Sequence, residues 1–152
     1  MATLHLMIGL PCSGKTTYAR KLAESAGALL LTPDVWQTSL FGQDLDDPAH
    51  DERHDTVEAI MWDVAEKLLP LGTSVILDFG CWAREERDDF LDRAKRLGAD
   101  FKLHYMDVPY PELYRRLEAR NRDLPEGVFQ IPKEMMDEYV AIFQPPEPDE
   151  LI

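Results

Sequence analysis

Cysteine is scarce in this chain of 152 residues, which holds two thiols, Cys12 and Cys81. That is too few for a disulfide framework and suits a reducing compartment. Positive charge is also short: 16 Lys and Arg stand against 29 Asp and Glu, for a formal net charge of −13. An extended nucleic-acid surface is therefore not expected, because phosphate backbones are bound through clustered cations. A small phosphorylated ligand in a local basic pocket remains compatible with an acidic protein. No apolar run is long enough to span a bilayer, and no basic-then-apolar leader opens the chain, so a cytoplasmic protein without membrane attachment is expected. Zinc-type Cys/His spacing and a nucleophile triad signature are missing too. There is no internal repeat and no low-complexity tract ahead of the tail. What remains is an ordinary globular composition, 45% hydrophobic and 30% charged, at a length that fits one domain over residues 1–152.

One stretch carries specific chemistry. Gly9-Leu10-Pro11-Cys12-Ser13-Gly14-Lys15-Thr16-Thr17 fits G-x-x-x-x-G-K-[ST], the phosphate-binding loop. Gly9 and Gly14 permit backbone angles that a side chain forbids, so the freed loop amides can curl around an anion as a nest. Gly9, Pro11, Cys12, Ser13, Gly14, Lys15, Thr16 and Thr17 are thus the candidate nucleotide-binding residues. Lys15 adds charge at the β- and γ-phosphates, and the Thr16 hydroxyl suits Mg2+. The context fits, with an apolar run (Leu4, Leu6, Met7, Ile8) before the loop and a helical pattern over Thr16–Ser25 after it. Cys12 has two readings, a thiol acidified by the helix start or a small tolerated loop residue.

Strand and helix patterns alternate along the chain. Strands are predicted over Thr3–Ile8, Ala28–Thr32, Thr73–Asp78 and Phe101–Val108, the second and third as runs buried on both faces. Helices are predicted over Val35–Leu40, Asp51–Leu69, Arg84–Leu97, Pro111–Asn121 and Lys133–Phe143. Val57, Ile60, Met61, Val64 and Leu68 mark the inner face of the long one. Gly27 is placed as a left-handed cap. Residues 42–50 are read as a mobile acidic loop, 112–131 as a lid region and 144–152 as an extended tail. This order predicts an α/β three-layer fold, a mostly parallel sheet of four or five strands covered on both faces, with ligands at the strands' carboxyl ends.

Asp34 and Asp78 both follow predicted strands and so fall at that edge. Asp78 suits a Mg2+ ligand, direct or through water. Asp34 is either a base for an acceptor hydroxyl or an N-cap for the helix after it. Arg115, Arg116, Arg120 and Arg122 gather around one helix. At least one of Arg116, Arg120 and Arg122 is expected to neutralise charge on a transferring phosphoryl group, the alternative being a solvated face paired with Glu112, Glu118 and Asp123. His50, Arg53, His54, Trp82, Arg84 and Arg87 are weaker candidates for an acceptor rim, with Trp36 and Phe41 as its apolar wall or as core.

With Gly9–Thr17, Asp34, Val75–Asp78 and Arg115–Arg122 placed, residues 3–145 resemble the small P-loop kinases of the AAA_33 type. This group includes zeta toxins, chloramphenicol phosphotransferase and the kinase half of polynucleotide kinases. The resemblance implies the P-loop kinase fold, ATP and Mg2+ as cofactors, a base at Asp34 and a lid carrying Arg120 or Arg122. It also implies adenine packed between the lid side and the segment near Pro145. Gln37 stands where polynucleotide kinases carry an arginine three residues after the base. The chain also lacks the added acceptor-binding elements of the longer zeta toxins. The expected activity is transfer of the γ-phosphate of ATP to a hydroxyl of a small molecule. The alternatives are an ATP-hydrolysing switch protein with no acceptor of its own and a 5′-hydroxyl polynucleotide kinase.

Overall fold

In the computed structural model, which describes residues 1–151, four strands form one parallel sheet. They are β1 (Thr3–Ile8), β2 (Leu29–Leu31), β3 (Val75–Gly80) and β4 (Asp100–Tyr105), in the order β2-β3-β1-β4. The helices are α1 (Lys15–Ala26), α2 (Pro33–Phe41), α3 (His50–Leu68), α4 (Arg84–Arg96), α5 (Tyr110–Arg122) and α6 (Lys133–Ile142). Alternation along β1 sorts the layers. Leu4 and Leu6 join Val75 and Leu77 under α3 and α4, while Met7 joins Ile76 and Ala19 under α1. This is the three-layer arrangement that the βα alternation predicts, and no fifth strand occurs among the described residues.

Several sequence expectations change. β2 is three residues long and pairs only with β3, with Leu29 38% exposed. It is an edge strand and not one buried on both faces. Ile60 faces solvent at 48%, and Ala65 takes the inward position instead, because the buried stripe runs Val57, Met61, Ala65. The acidic loop over 42–50 is anchored. Asp44 is buried and receives bonds from Gln37, His50 and Arg53. The tail turns back into a short 3-10 turn, Pro148–Leu151, instead of staying extended. Arg87, 1% exposed, pairs with Glu150 at 2.7 Å, and Arg84 binds Asp149. Burying a guanidinium requires a carboxylate partner, and the tail supplies it. Ile152 lies outside the described residues.

On the α1 side, His5 of β1 and His104 of β4 join ring nitrogens at 2.9 Å, with the Tyr18 ring 5.4 Å from that of His104. Burial, and after it the charge of Lys102, lowers the pKa of His5 from 6.5. Burial, His5 and Lys102 together push His104 down to about 4. Both rings fold neutral, so the unfolded chain binds more protons below its ordinary value of 6.5. Stability from this pair is complete above that pH and is lost as pH falls toward 4. We expect the melting temperature to drop across this window, and His104→Gln to flatten the drop. Identical pH profiles for the two proteins would contradict this.

Candidate active site

The chain leaves β1 at Ile8, turns through the glycine-rich loop and enters α1 at Lys15. The end of β3 supports the loop. The Gly9 amide donates to the Gly80 carbonyl at 3.3 Å, and the Trp82 indole donates to the Gly9 carbonyl at 3.3 Å. Cys12 (φ 70°) and Gly14 (φ 88°) take left-handed angles, as a nest requires. A methyl group on Gly9 would stand 2.5 Å from Ser13 Oγ and 3.3 Å from its Cβ. Gly9→Ala must therefore push the buried Ser13 outward and open the loop. Overpacking of this kind costs roughly 1–3 kcal/mol. We expect a loss of about ten-fold or more in nucleotide affinity by calorimetry, with the far-ultraviolet spectrum kept. The Cys12 thiol is pushed up by burial against the pull of Arg120, Arg116 and Lys15, which favours the plain-thiol reading.

Lys15, Thr16 and Thr32 converge on one carboxylate. Asp78 accepts from Lys15 Nζ at 3.0 Å, Thr16 Oγ1 at 2.7 Å and Thr32 Oγ1 at 3.2 Å, and is 2% exposed. It lies inside β3, two residues before the strand's end, instead of closing it. Burial pulls the Lys15 pKa down. The Asp78 and Asp34 carboxylates outweigh that pull, so the ammonium stays charged. Among the described residues no three His, Cys, Asp or Glu side chains form a metal cluster. The hard oxygens of Thr16 and Asp78, 2.7 Å apart beside the loop, are the donor type Mg2+ accepts.

These groups open into a cleft of about 610 Å³, also lined by Asp34, His50, Asp51, His54 and Tyr139. α2 starts at Pro33 with Thr32 as its N-cap, so Asp34 sits in the first turn and is not the cap. His54 donates from Nδ1 to Gln37 at 3.0 Å and faces Glu58 at 3.4 Å from Nε2. Burial lowers its pKa, yet Glu58, Asp34 and Asp55 together raise it. Gln37, 0% exposed, is a strut that ties α2 to Asp44, His50 and His54.

The arginines of α5 separate. Arg120 lines the cleft and donates to the Phe129 carbonyl at 3.3 Å, with its Nε unpartnered. Arg116 lines it too, donates to the Cys12 carbonyl at 3.1 Å and pairs with Glu112. Arg122 is exposed and does not line the cleft, and Arg115 is spent on Glu112. Of the weaker candidates, His50, His54 and Trp82 line it. Trp36 and Phe41 are surface residues, Arg53 lies over the Phe41 ring, and Arg84 and Arg87 hold the tail. Sequence reasoning missed Thr32 and Tyr139, while residues 125–129, which also line the cleft, fall within the 112–131 region singled out from the sequence. A polar residue directly after an apolar run was the available signal for Thr32; nothing local marks Tyr139. The segment 128–130 is tied to α2's end by Gln43, whose side-chain amide donates to the Val128 carbonyl at 2.7 Å and accepts from the Gln130 amide at 2.8 Å.

A parallel sheet with a glycine-rich phosphate loop between β1 and α1, and a buried aspartate on the neighbouring strand, defines a P-loop protein of the kinase type. The chain belongs to the AAA_33 family, described as AAA domain, whose profile matches residues 4–146. It is 31% identical over 117 residues to the signal recognition particle protein of Streptococcus mutans, covering 66% of this chain and 20% of that one. Among solved structures it is similar to a chain of the Pnkp1/Rnl/Hen1 RNA repair complex: 25% identity, TM-score 0.75, with 92% of this chain and 43% of that chain covered. A sugar kinase from Janibacter sp. HTCC2649 shares the fold at 19% identity and TM-score 0.69, covering 99% and 83%. The chain thus spans a fifth of that curated relative and less than half of the RNA repair chain. The fold is that of P-loop kinases, and the family binds nucleotides. Among the described residues no helix is long and apolar enough to cross a membrane.

Proposed function

We propose that this chain is a kinase domain, residues 1–152 with a lid at about 112–131, that transfers the γ-phosphoryl group of ATP to a hydroxyl of a small molecule. The observation that carries the reading is the Lys15–Thr16–Asp78 knot opening into the same cleft as Asp34. The amides of Gly14–Thr17 at the start of α1 and the Lys15 ammonium hold the triphosphate. Thr16 and Asp78 would hold Mg2+, which when bound neutralises phosphate charge. Asp34 orients the acceptor hydroxyl and takes its proton as oxygen bonds to the γ-phosphorus and the β,γ-bridging bond breaks toward ADP. Arg120 and Arg116 balance charge on the phosphoryl oxygens, and Arg122 reaches them only if the lid shifts. Closing the lid excludes water, the competing acceptor. The two free thiols suit the reducing cytoplasm.

The experiment is a screen of hydroxylated metabolites with γ-labelled ATP. Label appearing on a compound supports transfer; slow release of free phosphate alone supports the switch reading. A second reading, a 5′-polynucleotide kinase, draws on the RNA repair relative. It requires labelled oligonucleotide ends and a steep salt dependence. Gln37, buried as a strut, offers a nucleic-acid end no charge, which favours the small acceptor.

A further inference from the structure

The chain leaves β3 through two successive left-handed residues, Gly80 (φ 84°) and Cys81 (φ 36°). A residue with a side chain rarely takes that region, so its surroundings must hold Cys81 there. Arg87 does so, donating from Nη1 to the Cys81 carbonyl at 3.0 Å. The turn brings Trp82 back against the phosphate loop. Its indole donates to the Gly9 carbonyl at 3.3 Å, and its ring centroid lies 4.6 Å from that of Tyr139. The fit is close. A methyl group on Gly80 would stand 3.3 Å from the Gly9 carbonyl oxygen, 3.4 Å from Trp82 Nε1 and 3.7 Å from Lys15 Cε.

Arg87 is in turn held by the tail. Its Nε donates to Glu150 Oε1 at 2.7 Å and its Nη2 to Oε2 at 3.3 Å. The two side chains are 1% and 4% exposed. A forked pair of this kind fixes orientation as well as charge. Without Glu150 the guanidinium would be a buried charge with only a carbonyl for a partner. The tail also reaches Trp82 through its backbone. The Gln144 amide donates to the Trp82 carbonyl at 2.8 Å, and the Arg84 amide donates to Gln144 Oε1 at 3.1 Å. Neither Arg87 nor Glu150 lines the cleft.

We propose that Glu150 and Arg87 are positioning residues for the nucleotide. Their ion pair sets the Cys81 turn, the turn sets Trp82, and Trp82 holds the Gly9 carbonyl so that the loop keeps its phosphate-binding shape. This rests on the kinase reading above and extends its nucleotide site to the tail. By linkage, a tail that tightens nucleotide binding is itself tightened by the nucleotide.

The test is calorimetry on the full chain with Mg2+ and two probes, adenylyl imidodiphosphate and inorganic tripolyphosphate. It is run at a temperature where circular dichroism shows the variants folded. Glu150→Gln should weaken both probes about ten-fold, the net worth of one hydrogen bond. Trp82→Phe keeps a ring against Tyr139, removes the donor to Gly9 and should cost the same. The double variant should cost no more than either alone, because both act on one relay. Asp149→Asn, which releases the exposed Arg84, should bind as wild type does. Nucleotide should also slow hydrogen exchange at the Glu147 and Glu150 amides, which close the tail's turn with bonds of 2.7 and 2.9 Å. Wild-type affinity in either single variant, additive losses, an equal loss in Asp149→Asn, or tail exchange indifferent to nucleotide overturns the proposal. So does a loss on the imidodiphosphate that tripolyphosphate does not share, since the tail would then be acting on the base. All of these leave the kinase reading standing. Should Glu150→Gln fail to fold, Trp82→Phe and the exchange measurement decide. Wild-type protein that binds neither probe removes the kinase reading and the proposal with it.

Discussion

Asp34→Ala is expected to lower ATP-dependent transfer at least about 100-fold, the lower end of general-base effects, with nucleotide affinity nearly unchanged. The separation follows from position. Asp34 is the first-turn residue of α2 and lines the same cleft as the phosphate loop. It bonds none of Lys15, Thr16 or Thr32, whose partner is Asp78. The nucleotide-holding groups are therefore left intact when Asp34 goes. Turnover with the true acceptor should fall, while the dissociation constant for the ATP analogue stays put. Full transferase activity in Asp34→Ala would remove the base from the mechanism and leave Asp34 as helix-dipole decoration.

Asp78→Ala acts on stability as well as on binding. Asp78 is 2% exposed and is the shared acceptor of one ammonium and two hydroxyls. Removing it strands all three donors. Breaking a buried pair by deleting one partner costs about 3–5 kcal/mol. The Lys15 side chain keeps 17% exposure, so the lower end, about 3 kcal/mol, is expected. At this chain length that is a fall of roughly 10 °C in melting temperature. Asp78→Asn keeps one acceptor oxygen for the two hydroxyls and the side-chain volume, but sets an NH2 donor against the Lys15 ammonium in place of the ion pair, so it should fall between wild type and alanine. Both variants should lose the dependence of nucleotide binding on Mg2+. Wild-type melting together with wild-type Mg2+ dependence in Asp78→Ala would contradict the assignment.

The phosphate loop was legible because its chemistry is contiguous. Gly9, Gly14, Lys15 and Thr16 act through neighbouring backbone amides, and nine residues contain the whole device. The strands β1 and β3 and the long helix α3 were legible for a similar reason, since periodicity is a local property. The boundary errors fell where neighbours decide. β2 reads as buried because Leu29, Leu30 and Leu31 are apolar, but it has only β3 beside it. The acidic stretch 42–50 reads as loose because nothing within it can satisfy Asp44. Its partners arrive from α2 and α3. Arg84 and Arg87 read as a ligand rim until the tail returned Asp149 and Glu150 to them.

By itself the sequence determined a phosphate-binding loop on a parallel α/β sheet and the two acids at its carboxyl edge, because spacing along a chain fixes what adjacent residues can do. Only the tertiary structure decided which of the α5 arginines line the cleft and that Asp34 is free of capping. Those relations depend on how distant segments are brought side by side, and no stretch of chain records the residues it will meet across a groove.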